Sequence, residues 1–319
     1  MTVHGDVFIA GGETLIGRAL IRAFTRTHAR VCAPARDDLD LTDTCAVHRY
    51  FAATRPRHVV VAGGKSGGIG LNQRVPADLM TDNLLVATNV CMAAARHGVE
   101  KLLYLASSCC YPKDCPQPMR VEHLGTGPLE PTSEPYAVAK IAGIQLCAAL
   151  RRQQGARFIA AIPADVFGPD SSFDTESSHV IPALVAKMHA AKIQNAQEIV
   201  LWGTGNPRRE FLFADDLAEA CVLVIERYDE VAAINLGGGT ELSIRDVAVM
   251  IAEVVGFEGR LVFDASKPDG MPRKLLDSTV LHDLGWRAAT PIHEALRRTY
   301  RGFLDRSADS AGGTAGATR

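Results

Sequence analysis

The 319-residue chain lacks the marks of several large protein classes. It has no C-x-x-C pair. Its eight cysteines (Cys32, Cys45, Cys91, Cys109, Cys110, Cys115, Cys147 and Cys221) are scattered through a long sequence, unlike a zinc ribbon, a thioredoxin-like site or a small disulfide scaffold. It has no excess of charge: 34 Lys and Arg stand against 36 Asp and Glu, for a net charge of −2. That argues against a strongly basic nucleic-acid face but leaves room for a local pocket that binds a small anion. No apolar run approaches the roughly 18 residues of a membrane span. No internal repeat is present, and the opening stretch MTVHGDVFIAGG has neither the charged nor the apolar region of a signal peptide. The expected setting is a reducing cytoplasm, with neither nucleic acid nor membrane as partner. The rest is ordinary globular composition, 47% hydrophobic and 22% charged, long enough for one large unit with a smaller lobe.

Along the first half, strand-like and helix-like segments alternate. Val7 to Ala10, Ala29 to Cys32, His58 to Ala62, Lys101 to Ser107 and Phe158 to Pro163 read as strands. Leu15 to Thr25, Cys45 to Ala52 and Asn83 to His97 read as helices. Short apolar strands without polar alternation are buried on both faces, so the pattern predicts a parallel, doubly wound Rossmann-type α/β sheet. Residues 1–168 are expected to form this nucleotide-binding unit. A smaller substrate-binding α/β lobe is expected over 169–305, with the segment around 210–240 returning to the sheet and Leu242 to Val255 forming an amphipathic helix. The Ser-, Ala- and Gly-rich stretch from Arg306 to Arg319 has little to bury and is expected to be disordered.

The first strand runs into Gly11-Gly12-Glu13-Thr14-Leu15-Ile16-Gly17. Glycines at such a turn let the backbone approach a pyrophosphate, and the helix that follows presents free N–H groups to it. The loop keeps the outer glycines of G-x-x-G-x-x-G and has Thr14 in the middle. About twenty residues on, where a side chain reads the adenosine ribose, stands Arg36, within a segment that continues through Asp40 and Leu41. A cation there favours a 2′-phosphate and hence NADP(H) over NAD(H), although Glu13 places a carboxylate nearby.

Tyr136 and Lys140 form Y-x-x-x-K, a spacing that puts both on one helix face, with Pro135 suited to the helix start. An ammonium beside the phenol is expected to lower the tyrosine's pKa and ready it for proton exchange. Ser107 and Ser108 end the strand beginning at Lys101, at the edge where an open α/β sheet meets its ligands, and can hydrogen-bond the same carbonyl. Cys109 and His179 add a thiol and an imidazole that could remove and return protons next to a ketone.

At these residues the chain resembles the GDP-L-fucose synthase family of extended short-chain dehydrogenases, over about Val7 to Leu304. The stretches that carry the resemblance are Ser107 to Lys113, Leu129 to Gly143, Ser178 to Leu184 and Phe263 to Gly270. It implies 3,5-epimerisation of GDP-4-keto-6-deoxy-D-mannose, then reduction of its C4 ketone with NADPH. Tyr136 would be the proton donor, Lys140 its partner, Ser107 the residue that positions the keto oxygen, and Cys109 with His179 the epimerisation pair. Leu105, Ser107, Ser108, Lys140, His179 and the run Pro163, Ala164, Asp165, Val166 would join the glycine loop around the cofactor. Lys187, Trp202, Arg209 and Asp269 would meet the nucleotide sugar, and the chain would form a homodimer. Three of four departures lie around the cofactor: Thr14 stands where glycine is usual, Glu13 for arginine and Gly63-Gly64 for an alanine pair; the fourth, Asp165 for asparagine, would alter how the sugar or the nicotinamide is held. Lys187 stands where many members carry arginine. Other readings keep the fold and change the chemistry: a C4 reductase of a related GDP-4-keto sugar, or a redox-neutral epimerase with tightly held NAD. A cofactor-sensing protein without turnover is a third. Cys109, Cys110 and Cys115 fit no zinc spacing, so no metal is expected.

Overall fold

The computed structural model describes residues 5–313 except Glu176 and Pro268. In chain order the first half comprises β1 (Asp6–Ala10), α1 (Leu15–Arg26), β2 (Arg30–Cys32), α2 (Thr44–Thr54), β3 (His58–Val61), α3 (Ile69–Arg74), α4 (Pro76–Arg96), β4 (Lys101–Leu105) and α5 (Glu134–Gln154). Next come β5 (Phe158–Pro163), β6 (Asp165–Phe167), α6 (Val180–Ile193), β7 (Glu198–Trp202), β8 (Arg208–Phe213), α7 (Ala214–Arg227) and β9 (Ile234–Leu236). The chain closes with β10 (Glu241–Ser243), α8 (Ile244–Val255), β11 (Arg260–Asp264), β12 (Arg273–Lys274), α9 (Thr279–Asp283) and α10 (Ile292–Gly313).

Six strands form a parallel sheet in the order β2-β1-β3-β4-β5-β9. The runs of β3, β4 and β5 are almost wholly buried, as strands covered on both faces must be. The core gathers Phe8, Phe24, Phe51, Leu102, Leu103 and Ile162, each fully buried. Each such side chain contributes roughly 1.5–3 kcal/mol on leaving water. The strand order reverses between β1 and β3. In an open α/β sheet this switch point opens a crevice at the carboxyl ends of the strands.

The chain leaves this sheet at Ala164. One residue later Asp165 begins β6, which pairs with β8, itself flanked by β10 and β12. A separate two-stranded sheet, β7 with β11, lies in the same half. There a second core forms around Phe167, Ile181, Val185, Met188, Ile251 and Leu296. The return expected over 210–240 falls to α7, which packs on α1, and to β9, which extends the sheet beside β5. Residues 210–213 stay with β8 instead.

Two helix boundaries differ from expectation. Helix α4 begins at Pro76, seven residues before Asn83, because Pro suits a helix's first position. The segment from Arg306, expected to be disordered, continues α10 through Gly313. Extending a helix already begun at Ile292 costs little, and local contacts favour it. Arg306 donates to the Pro169 carbonyl and lies over the Phe173 ring, and Ser307 donates to the Phe303 carbonyl. Residues 314–319 of that call lie outside the described residues. Among the described residues no helix is long and apolar enough to cross a membrane.

Candidate active site

The crevice at the switch point is built largely from backbone. Gly11 has φ +84°, and a Cβ there would stand 2.5 Å from the Gly63 Cα at the end of β3. A Cβ on Gly17 would stand 2.0 Å from the Gly11 carbonyl oxygen. The glycines thus bring β1, β3 and the start of α1 together as only residues without side chains can. Gly63 itself faces the Gly11 turn. Thr14 needs no glycine: its φ is −71°, and it caps α1 by accepting from the Gly17 N–H at 3.0 Å while donating to the Gly11 carbonyl at 2.8 Å. The cleft is lined further by Glu13, Arg36, Asp40, Leu41, Gly64, Lys65 and Asp82. Arg36 is more than half exposed at its mouth, 3.4 Å from the Asp82 carboxylate, which also accepts from the Lys65 N–H. The buried Asn83 Oδ1, beside Gly64, has no hydrogen-bond partner. A glycine cradle, a helix N-terminus and an arginine at the adenosine end fit a phosphorylated dinucleotide.

Strand β4 stops at Leu105, two residues earlier than expected, and a single 3-10 turn, Ser108–Cys110, follows. The Ser107 side chain accepts from the Cys109 N–H at 3.2 Å and is hydrogen-bonded to the Tyr136 phenol. Tyr136 and Lys140 lie in the first two turns of α5. Lys140 is buried, donates to the Leu105 carbonyl at 3.2 Å, and sits 5.3 Å from the Tyr104 ring centre and 5.8 Å from that of Tyr136. Gly143, one turn on, allows this: a Cβ there would meet the Tyr104 ring at 2.3 Å. Burial brings the Lys140 pKa down to about 8.

The Tyr136 phenol departs from expectation. Its pKa is raised, first by burial and then by the neighbouring thiols Cys109 and Cys110, while a hydrogen bond with Ser107 opposes the rise. Loss of hydration outweighs the ammonium near the ring, so the phenol is held protonated.

Beyond Ser107 the side chains from four distant segments converge. Asp165, at the seam between the two sheets, lies 3.8 Å from Arg209 Nε on β8 and 3.8 Å from Lys274 Nζ on β12. The Ser108 hydroxyl is 3.4 Å from the same carboxylate. Lys274 also donates towards the Ser108 hydroxyl and the Cys109 sulfur, each at 3.4 Å. Burial would raise the Asp165 pKa, but Lys274, Arg209 and His179 hold it below the ordinary carboxylate value. His179 precedes α6 and faces the same carboxylate. Burial and Lys274 pull its pKa down, and Asp165 opposes them. Its ring is crowded yet solvent-accessible, as on the wall of an open cleft. Cys110 and Cys115 turn elsewhere, the first to the Ala137 carbonyl and the second to His123.

The remaining predicted residues lie in the lobe. Trp202 is 61% exposed at the end of β7, with the Lys267 ammonium 5.6 Å from its ring. Lys187 on α6 donates to the Val200 carbonyl. Asp269 spends both oxygens on Thr204, at 2.8 Å each, and so fixes the loop after Trp202. Arg209 connects this group to the Asp165 cluster: a Cβ on Gly270, next to Asp269, would lie 3.6 Å from its guanidinium. Lys274 was not foreseen. It carries no periodicity or spacing signal, and only the pairing of β12 with β8, Lys274 opposite Arg209, brings it to the cleft.

Residues 7–237 match the NAD dependent epimerase/dehydratase family. Over 307 residues the chain is 48% identical to the probable GDP-L-fucose synthase 1 of Oryza sativa subsp. japonica, covering 94% of this chain and 92% of that one. It is 46% identical to the GDP-L-fucose synthase of Sinorhizobium fredii, covering 95% and 97%. The solved structure of a GDP-L-fucose synthetase from Naegleria fowleri bound to NADP matches with a TM-score of 0.86 at 27% identity, covering 97% of each chain.

Proposed function

Because the chain belongs to the NAD dependent epimerase/dehydratase family, and within it to the GDP-L-fucose synthases, we propose that it converts GDP-4-keto-6-deoxy-D-mannose to GDP-L-fucose by 3,5-epimerisation followed by C4 reduction. The observation that carries this reading is the convergence of Ser107, Cys109, Tyr136 and Lys140 at one sheet edge, with His179 facing them across Asp165.

The Ser107 hydroxyl and the Tyr136 phenol are the donors for the sugar's C4 oxygen. With that oxygen held, a C–H bond next to the carbonyl can break, its electron pair passing into an enolate. Cys109 Sγ and the His179 imidazole are the groups that take and return these protons at C3 and C5. NADPH, when bound in the glycine-lined cleft, supplies the hydride for C4. The protonated Tyr136 then gives its proton to the C4 oxygen, and Lys140, with its pKa near 8, can restore it. Arg36, at the adenosine end, is the side chain that would read a 2′-phosphate. Arg209 and Lys187 are the cations for the pyrophosphate, and the exposed Trp202 ring offers a face for the base. A homodimer in the cytoplasm belongs to the same reading; sedimentation velocity tests the oligomer.

Incubation with NADPH and the keto sugar in deuterated water tests the proposal. The expected outcome is NADPH consumption and an L-sugar product with deuterium at C3 and C5. Product without that label would reduce the activity to C4 reduction. No NADPH oxidation with any GDP-4-keto sugar would overturn the reading.

A further inference from the structure

Lys274 is a buried cation of the cleft, with 9% of its surface exposed. Its backbone is clamped from both sides. Arg208 N–H donates to the Pro272 carbonyl at 2.9 Å and Met119 N–H to the Leu275 carbonyl at 2.7 Å. The Gln117 side chain accepts from the Leu275 N–H, and the buried Glu210 accepts from the Leu276 N–H, each at 2.9 Å. A two-residue strand held this firmly delivers its side chain to a fixed point. That point lies within hydrogen-bond reach of two acceptors, Ser108 Oγ and Cys109 Sγ, each at 3.4 Å, and at ion-pair distance, 3.8 Å, from Asp165 Oδ1. Burial would favour loss of the charge, but Asp165 and Cys109 more than offset it and keep Lys274 cationic.

We propose that Lys274 is a positioning residue for Cys109: anchored by Asp165, its ammonium fixes the sulfur at the cleft and supplies the countercharge for the sulfur anion that accepts a proton from the sugar. This rests on the epimerase reading above. The proton from the sugar carbon goes to Sγ, the C–H electron pair goes to the enolate, and Lys274 keeps its three protons. Asp165 sets how tightly the ammonium is held, since its other oxygen faces Arg209.

Site-resolved alkylation of the full chain by iodoacetamide, read by peptide mass spectrometry, tests the coupling, with the exposed Cys45 as internal reference. Lys274→Met should slow alkylation of Cys109 by about tenfold while Cys45 is unchanged. Lys274→Arg should restore the rate to within about threefold, since it keeps charge and donors. Lys274→Met leaves Asp165 without one of its cations and could fail to fold. The double variant Lys274→Met/Asp165→Asn removes both charges and should show the same slowing. An unchanged Cys109 rate in the double variant overturns the proposal. So does equal slowing in Lys274→Arg, or slowing shared by Cys45, because packing rather than charge would then be responsible. Alkylation requires neither sugar nor cofactor. Its failure leaves the proposed activity standing, and absent turnover with the coupling intact removes the activity alone.

Discussion

The two ends of the cleft are made of different material. The dinucleotide end is backbone: three glycines, one capped helix and two strand ends, contributed by residues within about one-fifth of the chain. The sugar end is side chain: a tyrosine and lysine from α5, a thiol from the turn after β4, a carboxylate from the seam, and cations from β8 and β12. Sterics decide the first end and charge the second. Their failures should therefore look different, the first insensitive to pH and the second governed by it.

The largest effect belongs to the sugar end. Tyr136→Phe removes the phenol that gives its proton to the C4 oxygen, and turnover should fall by about 10²–10⁴. Cofactor affinity, measured by fluorescence titration, should change less than about twofold, since the Tyr136 side chain does not line the glycine cleft. Loss of cofactor binding with turnover would break the division into two ends.

Next in size is a pH effect. Glu210 lies beneath the charged cluster and accepts from the N–H groups of Leu276 and Gly239. Burial raises its pKa to about 7, aided by Asp165 and Glu241 and opposed by those two hydrogen bonds. A carboxyl whose folded pKa lies above its unfolded value binds its proton more tightly when folded. Its contribution is full below about 4.5 and is lost as pH rises through 7. Glu210→Gln cannot ionise. Between pH 5 and 8 the stability difference should therefore move in the variant's favour by up to about 3 kcal/mol. Parallel stability curves in urea denaturation would show that Glu210 does not carry this charge.

The dinucleotide end should answer to volume instead. Gly17→Ala puts a Cβ against the Gly11 carbonyl, a backbone atom that cannot swing aside. It should cost about 1–3 kcal/mol in stability and weaken NADPH binding at every pH. Arg36→Ala should lower the preference for NADPH over NADH by about tenfold without affecting the fold, since the arginine is solvent-exposed and only loosely paired with Asp82. Unchanged cofactor preference would place the 2′-phosphate reader elsewhere in the cleft.

Legibility in the sequence followed the same division. The glycine loop, the Y-x-x-x-K pair and the Ser107-Ser108-Cys109 run are local patterns, and each names elements that the fold then positions. The parallel sheet was readable because buried strands announce themselves as short apolar runs. Lys274 was not, because it meets Cys109 across 165 residues and only strand register joins them. The direction of the Tyr136 shift was misread for a related reason. Spacing places a cation near the phenol, but it does not show how much water the packed fold removes. The end of α10 was misjudged because composition alone cannot show that a helix has already been nucleated upstream.

The smallest effect asks whether Thr14 is a defect in the loop. Read as a motif, it replaces a glycine. Read as backbone, it occupies an ordinary extended conformation and supplies the cap that α1 would otherwise lack. Thr14→Gly restores the motif and removes two side-chain hydrogen bonds, and at an N-cap this exchange costs only a few tenths of a kcal/mol. Thr14→Ala, which loses the same bonds without glycine's solvation of the helix end, should cost about 1 kcal/mol. NADPH affinity should be nearly equal in all three proteins, because the close approaches belong to Gly11 and Gly17. A marked gain in affinity for Thr14→Gly would mean that the threonine side chain obstructs the pyrophosphate, and steric fit would then extend to the one position of the loop where it is not needed.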